Sequence, residues 1–177
     1  KLIVVGSGAI GVEFAYFYNA MGTEVTLVEY MPKIIPAEDD EISKLMERSF
    51  TKSGIKVMTS AEVTKVNTSG KGVKVNIKTK DGEEKISADI VLSAVGIKTN
   101  IENIGLEELG IATDRDKILV DDFYQTNVQG YYAIGDVTSG QALAHVASAE
   151  GILCIEKIAG HHVEPIDYNN IPGCTYC

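Results

Sequence analysis

The segment Gly6-Ser7-Gly8-Ala9-Ile10-Gly11, with what flanks it, leaves few folds open to this chain. Leu2-Ile3-Val4-Val5 precedes it, an apolar, β-branched run that reads as an interior parallel strand. Ile10, Phe14, Phe17 and Met21 follow at spacings of three and four, which predicts a helix carrying these four side chains on one apolar face. Gly22 stands where a left-handed C-terminal cap belongs, and Val25-Thr26-Leu27-Val28 is a second strand closed by Glu29. Strand, glycine turn, helix, strand and terminal acid form a βαβ unit of about thirty residues.

That unit implies a chemistry. Gly6 permits the tight turn off the strand, Gly8 lets a pyrophosphate approach the backbone, and Gly11 lets the helix pack closely on the sheet. The helix N-terminus offers unpaired N–H groups and a partial positive charge to phosphates. Glu29 lies 18 residues past Gly11, close to the spacing of an acid that accepts from a ribose hydroxyl pair. A carboxylate there repels a 2′-phosphate and favours NAD over NADP. The alternative is a glycine turn without a ligand. A Walker A loop is excluded, because no Gly-Lys-Ser/Thr follows.

The remaining sequence extends the same architecture. Pro32 and Pro36 punctuate a loop, and Asp39 or Asp40 caps a helix over about 40–53 with Ile42, Leu45, Met46 and Phe50 as its buried stripe. Gly54 ends that helix, and Ile55–Met58 read as a third parallel strand. The period then changes to two. Val73, Val75 and Ile77 alternate with Lys74, Asn76 and Lys78, and hairpin signals at 70–72 and 81–82 predict a three-stranded antiparallel meander over about 61–88. Ile90–Val95 is the last parallel strand, closed by Gly96. Residues 97–117 look loop-like, 118–120 could form a short strand, and Tyr131–Ile134 reads as a short buried strand ending at Gly135-Asp136. A long helix is expected over about 141–159, with Leu143, Val146, Ala147, Ile152, Ile155 and Ile158 available for burial.

Composition narrows the class. The 177 residues fit one domain, or one domain plus part of another. Sixteen Lys and Arg against 25 Asp and Glu leave a net charge of −9, which argues against nucleic-acid and anionic-membrane partners. No apolar run approaches the length of a membrane span. Three cysteines cannot all pair, which fits a reducing, cytoplasmic setting. Lys1 opens directly on a strand pattern without an initiator Met, so the chain is expected to be a piece of a longer polypeptide.

The phosphate turn with Val12-Glu13, Val28-Glu29, Tyr132-Ala133-Ile134-Gly135-Asp136-Val137, Leu143-Ala144-His145, Tyr168-Asn169 and Ile171-Pro172 together resemble the FAD-dependent pyridine-nucleotide disulfide oxidoreductases. The likeness covers essentially the whole chain. It implies an α/β architecture: a Rossmann-like, three-layer NAD domain over 1–97 with an inserted meander, a second FAD-domain segment over 98–165, and the start of a dimerisation domain over 166–177. By position it implies NAD contacts at Gly6, Gly8, Gly11, Glu13, Glu29, Val63 and Gly96. It also implies FAD contacts at Asp136 and at Leu143, Ala144 and His145, where a helix N-terminus would stabilise the negative charge of reduced flavin.

For the longer protein the resemblance implies a homodimer that oxidises dihydrolipoamide through a redox disulfide and FAD, reduces NAD, and serves a lipoamide-bearing multienzyme complex. Relatives acting on mercuric ion, glutathione disulfide or oxygen, and a non-catalytic nucleotide-binding module, remain alternatives. The redox cysteines and catalytic His of that reaction are expected outside these residues. The chain alone is therefore expected to be inactive, to hold no catalytic residue or metal site, and to bind FAD poorly or not at all. Cys174-Thr175-Tyr176-Cys177 spells C-x-x-C, but no second such pair provides a zinc set and no following helix lowers a thiol pKa. Cys154 reads as a small hydrophobe within the long helix, and His161-His162 as a solvated turn.

Overall fold

A computed structural model describes all of residues 1–177. The chain divides into two compact units, Lys1–Ile97 with Cys174–Cys177, and Lys98–Gly173.

In the first unit, β1 (Leu2–Val5), β2 (Val25–Val28), β3 (Lys56–Met58) and β7 (Ile90–Ser93) form a parallel sheet in the order β3-β2-β1-β7. Between β3 and β7 the chain builds an antiparallel sheet from β4 (Glu62–Gly70), β5 (Gly72–Thr79) and β6 (Gly82–Ala88). Helices α1 (Ala9–Ala20) and α2 (Asp40–Lys52) connect the first three parallel strands. Strand alternation separates two cores. Leu2, Val4, Val25 and Leu27 pack with Val12 and Ala15 of α1 and Phe50 of α2. Ile3 and Val28 point the other way, onto Met58 and the meander residues Val75, Ile77 and Ala88. The result is three layers: helices, parallel sheet, antiparallel sheet. Burying each β1 side chain contributes about 1.5–3 kcal/mol, so this one strand anchors both interiors.

The apolar face of α1 is not its packed face. Ile10, Phe14, Phe17 and Met21 are exposed, Met21 by 71%, whereas Gly11, Val12 and Ala15 are buried. The reason is close approach: a Cβ on Gly11 would stand 1.9 Å from the Gly6 carbonyl oxygen. Only small side chains fit that seam, so the large ones lie outside. Helix α2 shows a milder version. Asp39 caps it by accepting from the Glu41 N–H, and Phe50 is buried, but Ile42 and Leu45 are exposed. Ser43 takes the inner position and donates to the Ile34 carbonyl at 2.7 Å.

The second unit holds α3 (Leu106–Leu109), a two-stranded ribbon of β8 (Thr113–Asp114) and β9 (Lys117–Ile118), and α4 (Ala144–Ile158). Its small core gathers Ile101, Leu106, Ile111, Ile118 and Ala133. Tyr131–Ile134 is not the buried strand its sequence suggests. It makes one bridge, Tyr132 to Gln125, and only Ala133 is buried, since there is no ladder for it to join. In α4 the inner edge is Val146, Glu150 and Cys154, with Leu143 and Ala147 half-buried, while Ile152, Ile155 and Ile158 are exposed. No helix is long and apolar enough to cross a membrane.

Candidate dinucleotide-binding site

In the first unit, the glycine turn after β1 and the acid after β2 meet at the carboxyl edge of the parallel sheet. Val5 is in register with Val28 on one side and with Ser93 on the other. The strand order reverses at β1, the place where open α/β sheets leave a crevice for ligands.

The three glycines have different causes. Gly6 has φ +93°, and a Cβ there would lie 2.6 Å from the Ala94 carbonyl oxygen, so turn geometry and packing both demand glycine. Gly11 is demanded by the helix–turn contact. Gly8 is demanded by neither, for its backbone is extended (φ −65°, ψ −179°) and nothing lies within 4 Å of where its Cβ would be. The open space above Gly8 suits a ligand that must reach the backbone. Gly8 is also the N-cap of α1, no side chain caps that end, and its first turn holds no acid, so the amides and helix dipole are available to an anion.

Glu29 is 6% exposed and accepts three bonds. Its Oε2 takes the Ser7 N–H at 2.8 Å and the Ser7 hydroxyl at 2.6 Å, and its Oε1 takes the Met31 N–H at 2.7 Å. The Ser7 carbonyl accepts from the Ile35 N–H at 2.9 Å. The loop after β2 thus grips the glycine turn from both sides of Ser7. Gly96, at φ +152°, follows β7 at the same sheet edge. Val63 is half-buried on β4 and packs against the meander core. Glu13 is half-buried on α1, accepts from the Tyr176 N–H at 2.8 Å, and lines a cleft of about 460 Å³ with Ile10, Phe14, Tyr16, Phe17 and Tyr176. Burial, and then the charge of Glu13, hold the Cys177 thiol above the usual thiol range.

The second unit places its residues separately. Asp136 is exposed within a single 3-10 turn, Gly135–Val137, and its carbonyl accepts from Lys117 Nζ at 2.5 Å. Leu143 is the N-cap of α4, again without a side-chain cap, and Ala144 and His145 begin its first turn. His145 Nε2 lies 3.1 Å from the Pro172 carbonyl oxygen, so the tautomer that donates there satisfies the ring.

The family model described as pyridine nucleotide-disulphide oxidoreductase matches residues 1–151. This chain belongs to that family. Curated relatives named dihydrolipoyl dehydrogenase include those of Rhizobium etli, 52% identical over 100% of this chain, and Zymomonas mobilis, 47% identical over 99% of it. The chain spans 37% and 38% of their respective lengths. Among solved structures, LpdA from Mycobacterium tuberculosis matches with a TM-score of 0.87 at 32% identity, over 99% of this chain and 38% of that one. The HOCl-induced flavoprotein disulfide reductase RclA from Escherichia coli matches with a TM-score of 0.83 at 25% identity, over 93% and 37%.

Two groups in this family member escape a sequence reading. Ser7 occupies a variable position of the glycine motif, yet it is fully buried and bonded twice to Glu29. Glu150 is fully buried in α4, bonded to Gly135 and Tyr168. A charge at the four-residue spacing Val146–Glu150–Cys154 is the sequence signal that could have marked it.

Proposed function

We propose that this chain is the NAD-binding portion, with part of the FAD-binding portion, of a dihydrolipoyl dehydrogenase. The observation that carries the reading is the cradle at Gly8: a glycine that neither fold nor packing requires, at an uncapped helix N-terminus, next in the chain to Ser7, which the buried Glu29 carboxylate holds. The diphosphate of NAD would be held by amides at the start of α1, and its adenosine ribose by Glu29. A carboxylate offers about four acceptor sites, and the protein fills three of those on Glu29. One ribose hydroxyl can therefore enter directly, and the second displaces a present donor. The Ser7 hydroxyl is the simplest to displace, since it is a rotor and the two amides are fixed. A 2′-phosphate would meet a buried carboxylate instead of a cation, so NAD is preferred to NADP.

In the second unit, Asp136 and the uncapped start of α4 would form one wall for FAD, through a short acid and a helix dipole. When both coenzymes are bound, they supply hydride transfer between nicotinamide and flavin, and the protein's part is orientation and electrostatics. The remaining chain of a longer homodimeric, cytoplasmic enzyme would supply the redox disulfide and cover the apolar rows on α1 and α4. Its partner would be a lipoamide-bearing complex. The 177-residue chain alone would then bind NAD without turning over substrate and would bind little FAD.

Titration calorimetry of the chain with NAD and with NADP tests the reading. Heat with NAD at least ten-fold stronger in affinity than with NADP is expected. A folded sample giving no heat with NAD, or preferring NADP, would overturn it.

A further inference from the structure

Glu150 is the one carboxylate of this chain whose side chain is wholly withdrawn from solvent, and the coenzyme contacts proposed above do not use it. No cation pairs with it. Its Oε2 accepts the Gly135 N–H at 2.5 Å, and its Oε1 accepts the Tyr168 hydroxyl at 2.6 Å. Tyr168 spends its one hydrogen on Glu150, so the Tyr124 hydroxyl, 3.0 Å away, donates to Tyr168. Donation therefore runs one way, from Tyr124 to Tyr168 to the carboxylate. Both groups facing the carboxylate are donors, and both bonds are short. The neighbourhood is shaped for it. A Cβ on Gly140 would stand 2.7 Å from Oε1 and 2.9 Å from the Tyr168 ring. Gly135 sits at φ +72°, so the amide that reaches Oε2 belongs to a turn few other residues could make.

A buried, cation-free carboxylate is costly to keep, which makes it a candidate for a specific task. We infer that Glu150 is a positioning residue: its carboxylate anchors the Gly135 amide and so fixes the Gly135–Val137 turn that presents Asp136 toward the flavin. Tyr168, with Tyr124 behind it, donates to the other carboxylate oxygen and holds the side chain in place. This inference rests on the flavin reading of Asp136 given above.

Amide hydrogen exchange on the 177-residue chain reads the anchor without any coenzyme. In Glu150→Leu, exchange at Gly135 and Asp136 is expected to quicken about ten-fold or more, on the order expected when a hydrogen bond to a charged group is lost. Glu150→Gln can still turn its carbonyl oxygen to the Gly135 N–H, so it restores most of the protection even if the leucine variant does not fold. Tyr168→Phe leaves the Gly135 bond in place and is expected to change exchange there little. Wild-type exchange at Gly135 in the folded leucine variant, or equal loss of protection in the glutamine variant, would overturn the anchor.

Flavin content of the full-length protein, read by absorbance, tests the purpose of the turn. The glutamine variant should retain FAD, and a leucine variant that folds should lose it several-fold. A leucine variant with a loosened turn and undiminished flavin would overturn the link to Asp136. Wild-type protein that binds no FAD would overturn the flavin reading itself, and the wild-type control separates that result from the others.

Discussion

The chain holds two buried glutamates that each take a backbone N–H from a glycine-containing turn, and they differ in what else can reach them. Glu29 sits just past β2 at the carboxyl edge of the parallel sheet, beside the point where the strand order reverses, is 6% exposed, and has one acceptor site to spare. Glu150 is closed in by Tyr168 and by the space that only Gly140 leaves free. On the readings proposed above, the same local device, a carboxylate bracing a turn, would serve direct recognition in one unit and positioning in the other. Access to ligand, and not the hydrogen-bond pattern, separates the two roles.

The sharpest way to break this contrast lies among the glycines of the first turn. Gly11→Ala is expected to destabilise the chain by about 3 kcal/mol or more, because its Cβ meets the Gly6 carbonyl at 1.9 Å and backbone cannot yield cheaply. Gly8→Ala should shift stability by only about 0.5 kcal/mol yet weaken NAD binding at least about ten-fold. Thermal unfolding and calorimetry on the pair check this, and equal damage to binding and stability at position 8 would remove the case for a ligand there.

Next in size is Glu29→Ala. It strands the buried Ser7 N–H and the Met31 N–H, so a loss of about 1–3 kcal/mol per unsatisfied group is expected, together with weaker NAD binding. Glu29→Gln keeps one acceptor oxygen but turns its NH2 toward either the Ser7 or the Met31 N–H, so it should lose about 1–3 kcal/mol for that one unsatisfied group, less than the alanine variant, and lose most of the preference for NAD over NADP, read as the ratio of the two affinities.

A smaller effect sharpens the Glu150 side. Burial, and then the bond to Glu150, raise the pKa of the Tyr168 phenol, and burial raises that of Tyr124. Raised folded-state values mean that the unfolded chain releases these protons first. The stabilisation is complete below about pH 10 and declines as pH climbs through the folded values. Tyr168→Phe removes one of the two ionisations and should flatten the fall in stability between about pH 10 and 12, as followed by urea unfolding. Smallest is the thiol order. Burial raises the Cys154 pKa, so a disulfide reagent at pH 8 should modify exposed Cys174 first and Cys154 last, timed by absorbance.

Much of this was legible in residue order because the βαβ unit couples local signals that agree. Val5-Gly6, Gly11, Val28-Glu29 and the switch to period two at Val73 each point to the same layered sheet, and the structure has that sheet. What periodicity could not tell is whether a face is covered. Ile10, Phe14, Phe17 and Met21 do share a side of α1, but Gly11, Val12 and Ala15 make the contact with the sheet. Ile152, Ile155 and Ile158 repeat the lesson on α4, where a charged residue holds the interior place. In the candidate site, the motif marks Gly6, Gly8, Gly11 and Glu29, while Ser7 is silent because its partner lies 22 residues away in the chain. Glu150 is silent for a related reason: a lone acid in a helix resembles a surface residue until its neutral donors are seen around it.

The bare backbone at position 8 has a consequence for anyone breeding sturdier versions of this molecule. Selection for heat resistance in the absence of coenzyme exerts little pull on that position, so substitutions there would drift in almost unnoticed. On the coenzyme reading proposed above, the survivors would be robust and empty-handed, and only a screen run with coenzyme in the tube would reveal what had been given away.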